Sequence, residues 1–179
     1  MSNAQTPTYG PLAKFFHWLL FLLIAAQFVD GILMPHIRRN TPQEGLVAWH
    51  VVLGSAILFF MILRLLWRVM RPVPLLTDIA PWERVVAHFT HWLIYLLVLA
   101  ATFLGWAAAG YYGWNVTLFG IIPLPALDAK GTAWGHESGD IHSTLVYVLL
   151  ALLGLHIVAA LYHYFFKHDR VLQRMMPHG

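Results

Sequence analysis

Three histidines, His142, His156 and His163, lie within one long and almost uncharged apolar run, Ile141 to Phe166. On a helix turning about 100° per residue, spacings of fourteen and seven residues bring the three imidazoles within about 60° of one another on one face. Hydrocarbon solvates an imidazole poorly, so ionisable side chains inside a membrane span point inward and bind or relay something. His142 and His156 are about 21 Å apart along such a helix, which places them near opposite leaflets of a hydrocarbon layer about 30 Å thick. The spacing predicts two separate ligand sites rather than one cluster.

Metal chemistry in this chain falls to imidazole. There are 11 histidines and no cysteine, which excludes disulfides, thiolate zinc sites, cysteine-ligated iron–sulfur clusters and covalently attached c-type haem.

The elements that must position these histidines are membrane helices. Of 179 residues, 59% are hydrophobic and 11% charged, with a mean hydropathy of +0.65, values outside the range of soluble domains. Four stretches are long and apolar enough to span a bilayer, at about 15–34, 46–69, 86–110 and 141–166. The expected fold is all-α, an integral membrane four-helix bundle forming a single domain over residues 1–179. Residues 1–12, with Pro7 and Pro11, read as a disordered lead without the small-residue cleavage site of a signal peptide. Residues 35–45 form a short polar connection. Residues 71–84 carry Pro72, Pro74 and Pro81, which end helices. The longest connection, rich in Gly, Pro and Trp, runs over 111–140.

Basic residues set the expected orientation. Lys14, Arg64, Arg68, Arg71, Arg84, Lys167, Arg170 and Arg174 fall on one side, and only Arg38, Arg39 and Lys130 on the other. The positive-inside rule makes the first side cytoplasmic, with both termini there. The net charge of +3 thus serves topology, and no nucleic-acid partner is expected.

With depth assigned, the remaining histidines fall into levels. His50 opens the second span level with His142 at the outer edge, whereas His17, His88 and His91 lie near the cytoplasmic edge with His156. A b-type haem needs two imidazoles facing each other from rigid helices, with small residues to admit the porphyrin and aromatics beside it. Gly54 and Gly154, and Trp18, Trp49 and Trp92 beside histidines, are candidates for those roles. Depth pairs His50 with His142 and His17 with His156, while leaving His91 open as an inner ligand in place of either His17 or His156. His36, His168 and His178 fall outside the spans and are expected in solvent. His136 precedes the fourth span, at the outer mouth.

The stretches KFFHWLLFLL around His17, AWHVVLGSAIL around His50, HFTHWLIYLL at His88 and His91, and IHSTLVYVLLALLGLHIVAALYHYFF, followed by LQRMMP, resemble the bacterial di-haem cytochrome b561 family, which is related to the cytochrome b subunits of nickel–iron hydrogenases. The resemblance covers most of the chain and is weaker over 111–140. It implies haem iron ligated by His17 with His156 and by His50 with His142, so two haem b cofactors, in a protein of the bacterial inner membrane.

Two redox centres stacked across the bilayer make a transmembrane electron wire. A quinone acceptor needs a hydrogen-bonding, proton-donating group beside the inner haem, a role imidazole fills near neutral pH. His163 is the candidate, supported by His91. Arg64, Arg68 and Arg71 are candidates to pair with propionates or other anions, and Arg38 and Arg39 to draw an anion to the outer end. Short members of the resembled family include superoxide oxidases, so the leading expectation is transfer of electrons from periplasmic superoxide to ubiquinone. Two alternatives follow from the same residues: a membrane subunit reducing quinone for a partner dehydrogenase or hydrogenase, and a histidine-lined metal or haem transporter. The transporter requires a polar pore, whereas Asp30 is the acidic group within the spans.

Overall fold

The computed structural model describes residues 8–71 and 79–176; Pro72, Pro74, His178 and most of the expected N-terminal lead lie outside them. Four long helices carry the architecture, α1 (Pro11–Leu33), α2 (Gly45–Met70), α3 (Pro81–Tyr112) and α4 (Ala133–Tyr162). Each is long and apolar enough to cross a membrane. They start and stop where local chemistry dictates. Pro11 and Pro81 occupy first-turn positions, where a missing N–H costs no hydrogen bond. Gly113 closes α3 at φ 75°, a conformation that glycine adopts without Cβ strain. The Thr132 hydroxyl caps α4 by accepting from Gly135 N–H at 3.1 Å.

The helices begin earlier than hydropathy alone implied. Pro11 and Leu12 belong to α1, and His136 lies in the first turns of α4 instead of ahead of it. The connection expected over 111–140 is therefore shorter, and it holds a two-stranded hairpin, β1 (Thr117–Leu118) and β2 (Ile122–Pro123), with Thr117 opposite Pro123 and Leu118 opposite Ile122. This hairpin folds down along α2. Ser55 Oγ donates to Thr117 O at 2.8 Å, and the Phe119 ring meets Phe59 and Phe60 with centroids 5.4 and 5.8 Å apart. Above it, Gln43 and Asn115 exchange two hydrogen bonds and Trp114 Nε1 donates to Thr41 O. The two connections at this end are thereby knitted together.

Around the bundle, α1 packs on α2, α2 on α3 and α3 on α4. A core of Leu20, Ile57, Met61, Tyr95, Leu97, Val98 and Leu149 fills the middle. Leu149 stands seven residues from both His142 and His156, so this plug separates the two histidine levels. At its far end α4 widens into a π-type turn, His163–Lys167. The chain then folds back so that Trp18 Nε1 donates to Met175 O at 2.9 Å and Tyr9 N–H to Arg174 O at 3.4 Å. Those contacts seat residues 172–176 against the start of α1, and both described ends of the chain meet at one end of the bundle.

Candidate cofactor site

His50 on α2 and His142 on α4 face each other with ring centroids 6.2 Å apart. His17 on α1 and His156 on α4 do so at 6.3 Å. A metal to imidazole nitrogen bond is about 2 Å and the ring centre lies about 1 Å further on, so imidazoles on opposite sides of one metal ion have centres about 6 Å apart. Both pairs have that spacing. The helices allow it because α4 packs its backbone closely on α3, while the imidazole pairs join it to α1 and α2. Only 6% of the most apolar window of α4 is buried inside the protein, against 44% for α3. Most of the apolar surface of α4 is thus left for surroundings other than the protein's own side chains to cover.

Hydrogen bonding orients the His50–His142 pair. His142 Nδ1–H donates to the Ala101 carbonyl at 2.7 Å, and His50 Nδ1–H to Asp30 Oδ2 at 3.2 Å. Both acceptors fix the proton on Nδ1 and leave the Nε2 lone pair for a metal, the arrangement that second-shell partners impose on ligand histidines. The ring of His142 lies against Gly105, where a Cβ would stand 3.1 Å from both Cε1 and Nδ1. Gly31 faces His50 in the same way, at 3.4 Å from its Cε1. Of the glycines singled out from sequence, Gly54 faces the Gln27 side chain and Gly154 faces open space. The glycines that admit the imidazoles are Gly31 and Gly105, neither adjacent in sequence to its histidine.

The other end gathers three histidines. His91 approaches His156 more closely than His17 does, with centroids 5.4 Å apart, nearer than the spacing of two imidazoles on opposite sides of one metal ion. Its Nδ1–H is held by Ala87 O at 2.5 Å. Arg64 donates from Nη2 to His17 Nδ1 at 3.1 Å and from Nε to Tyr95 Oη at 2.8 Å. A guanidinium can only donate, so in this arrangement His17 accepts on Nδ1. Ligation through Nε2 places a proton there, and Arg64 must then turn to another acceptor.

The remaining predicted residues sit apart from these pairs. His163 is the first residue of the π-type turn and donates from Nδ1 to Asp169 Oδ2 at 2.5 Å. α4 keeps its regular register up to His163, and the turn shifts the residues that follow it. Lys167 ties the turn to the start of α3 through Glu83, with Nζ 2.5 and 2.7 Å from the two carboxylate oxygens. His88 accepts from Trp92 Nε1 at 3.0 Å on an exposed face. Arg71 lies over the Trp67 ring, and Arg68 is half-buried one turn beyond Arg64. At the opposite end Arg38 and Arg39 are exposed, as is His36. A Cβ on Gly131 would lie 3.4 Å from Arg39 Nη2, so Arg39 reaches the loop beside Lys130. His136 pairs with Asp140 at 3.1 Å on the surface.

An all-α bundle of four membrane-crossing helices with half-buried, opposed imidazoles has the architecture of a membrane cytochrome. A family model described as prokaryotic cytochrome b561 matches residues 8–178, and the chain belongs to that family. It is 29% identical over 184 residues to cytochrome b561 homolog 2 of Escherichia coli, covering 98% of this chain and 95% of the relative. It is 30% identical over 170 residues to a protein of Yersinia pestis named probable superoxide oxidase CybB, covering 94% and 96%. A third relative, cytochrome b562 of Cereibacter sphaeroides, is 29% identical over 177 residues, covering 96% and 97%. The chain is a multi-pass electron-transfer protein of the bacterial inner membrane, an oxidoreductase of a family that implies haem b.

Proposed function

We propose that the chain binds two haem b groups, one between His50 and His142 and one between His17 and His156, and carries electrons across the membrane from periplasmic superoxide to ubiquinone. The observation that carries this reading is the pair of imidazole separations, 6.2 and 6.3 Å, each suited to one metal ion. The name of the Yersinia pestis relative supports superoxide as donor. The orientation with both termini in the cytoplasm puts the His50–His142 end outside, where Arg38, Arg39 and Lys130 favour the approach of an anion. Bound haem would supply one-electron chemistry to this scaffold.

The protein's own groups then have defined tasks. Ala101 O and Asp30 hold the two outer imidazoles by Nδ1, and Leu149 with its neighbours keeps the two sites separate and dry. Arg64 and Arg68 supply cations for propionates at the inner end, where Arg64 needs a new acceptor once His17 is a ligand. His163, held by Asp169, is the candidate to pass protons to quinone. A pocket of about 370 Å³ is lined by Tyr164 and Phe165 of the same π-type turn, with His168 and Gln173. The overall reaction balances as two superoxide ions losing one electron each to give two O2, while ubiquinone takes up two electrons and two protons.

The test is haem b per polypeptide on detergent-purified protein, repeated on His50→Ala and His156→Ala, with superoxide-driven quinone reduction in liposomes. Two haems, one lost in each variant, and quinol formed at the expense of superoxide are expected. One haem or none overturns the di-haem reading. Two haems without quinol formation, with a dehydrogenase subunit copurifying, overturns superoxide as the donor.

A further inference from the structure

We propose that Asp30 and Arg64 are positioning residues of opposite charge that set the outer haem at a lower reduction potential than the inner one, so that the fold drives electrons toward the His17–His156 end. This rests on the di-haem reading above.

The two ends differ in what stands behind the imidazoles. At His50 it is a carboxylate: Asp30 Oδ2 is 3.2 Å from Nδ1, and Asp30 is only 8% exposed. At His17 it is a guanidinium: Arg64 Nη2 is 3.1 Å from Nδ1, and Arg68 follows one turn later on the same helix. Oxidising a haem iron adds a positive charge at the metal. An anion hydrogen-bonded to an axial ligand makes that ligand more electron-donating and stabilises the oxidised state, whereas a nearby cation disfavours it. Both charges act from inside an apolar bundle, where a charge at this range is weakly screened.

Asp30 also has a geometry that favours this role over simple packing. It is buried near the end of α1, its carboxylate reaches across to α2, and the adjacent Gly31 lets α1 approach the same edge of the ring. At the other end, the Tyr95 hydroxyl holds Arg64 Nε at 2.8 Å. The positive charge therefore stays at that level even when Nη2 turns from His17 to a propionate. An acidic residue on α1 and a basic residue on α2 give the two levels opposite electrostatic surroundings, and the sense of the difference matches an electron entering at the basic outer mouth.

Equilibrium redox titration of the purified protein, followed by haem absorbance, tests the inference without reference to turnover. Single-haem variants assign the components, since His156→Ala retains the outer haem and His142→Ala the inner one. The outer haem is expected at the lower potential. Asp30→Asn should raise that component and leave the other in place, Asp30→Glu should keep it low, and Arg64→Gln should lower the inner component. Two haems bound with both potentials unmoved by Asp30→Asn, or an outer haem that titrates above the inner one in the single-haem variants, overturns the inference and leaves the di-haem reading standing. A wild-type protein that binds fewer than two haems overturns both. If Asp30→Asn does not fold, the order of the two potentials in the single-haem variants decides the matter.

Discussion

Gly105 on α3 and His142 on α4 are so close that a Cβ at position 105 would stand 3.1 Å from two atoms of the imidazole. One turn before it on α3, Ala101 offers the carbonyl that takes the Nδ1 proton of the same ring. The two positions together form a flat cradle: Gly105 lets the imidazole approach the backbone, and the Ala101 carbonyl sets its rotation.

Gly105→Leu should therefore displace His142 and empty the outer site while leaving the inner one filled. Haem per polypeptide is expected to fall from two to one, and the haem that remains should be the one retained in His142→Ala. Forcing a side chain into a packed contact costs about 1–3 kcal/mol, so the variant should still fold with a lowered Tm. A Gly105→Leu protein with two haems of unchanged spectrum would show that the cradle does not govern the site.

Leu149 is 4% exposed and midway along α4 between the two histidine levels, packed with Leu20, Ile57, Met61 and Tyr95. Truncating a buried leucine removes packing that neighbouring side chains recover only in part, at about 2–5 kcal/mol. Leu149→Ala is expected to lower thermal stability in detergent by that amount and to retain both haems. A stability within error of the wild type would mean that this plug is not the core of the bundle.

How much of this was legible in the sequence depends on whether the signal lay within one helix or between two. The 3.6-residue period brought His142 and His156 to one face, and span hydropathy fixed their depth, so levels alone paired His142 with His50, whereas at the inner level they left His91 open beside His17 and His156. Asp30 stood out as an acidic group in a span, but nothing local says that a residue at the end of α1 reaches His50 on α2, because that depends on how the two helices rotate about their axes. The Ala101 carbonyl has no sequence signature at all. Gly54 and Gly154 stood out as room for a porphyrin, whereas Gly31 and Gly105, which lie against the imidazoles themselves, carry no signal along the chain. Two further features were invisible for the same kind of reason. The hairpin at Thr117–Pro123 descends along α2 through a hydroxyl and three phenylalanine rings, and the π-type turn at His163 arises where α4 must reach both Glu83 and Asp169.

The outer basic residues make a kinetic prediction. Arg39 reaches the loop beside Lys130, and both side chains belong to exposed stretches, so their field acts on an approaching anion rather than on a bound one. Steering of this kind changes association rates by about tenfold or more and fades with salt. The double variant Arg38→Glu, Arg39→Glu should slow haem reduction by superoxide at low ionic strength, with the difference from wild type shrinking as salt is added. Quinol-driven reduction from the other side should be unaffected. Equal superoxide rates in the two proteins at low salt would remove these arginines from the donor site.

The inner end yields the last prediction, because His163 and Asp169 form a pair whose parts can be separated from electron entry. Asp169 Oδ2 lies 2.5 Å from His163 Nδ1, and the residue after Lys167, His168, takes up a left-handed conformation at φ 53° that turns the chain back toward α4. That bend is what brings Asp169 to His163. A carboxylate behind an imidazole fixes its orientation and the nitrogen it presents, which is what proton delivery to a reduced quinone requires. Asp169→Ala should lower the rate of quinol formation by about tenfold or more, part of the roughly 10²–10⁴-fold that a positioned general acid contributes, with haem content and the rate of haem reduction by superoxide unchanged. In rapid-mixing experiments the haems should then accumulate in the reduced state, because electrons enter as before and leave slowly. If quinol formation in Asp169→Ala matches the wild type, protons reach the quinone by another route, and His91, whose ring lies beside His156, becomes the group to substitute next.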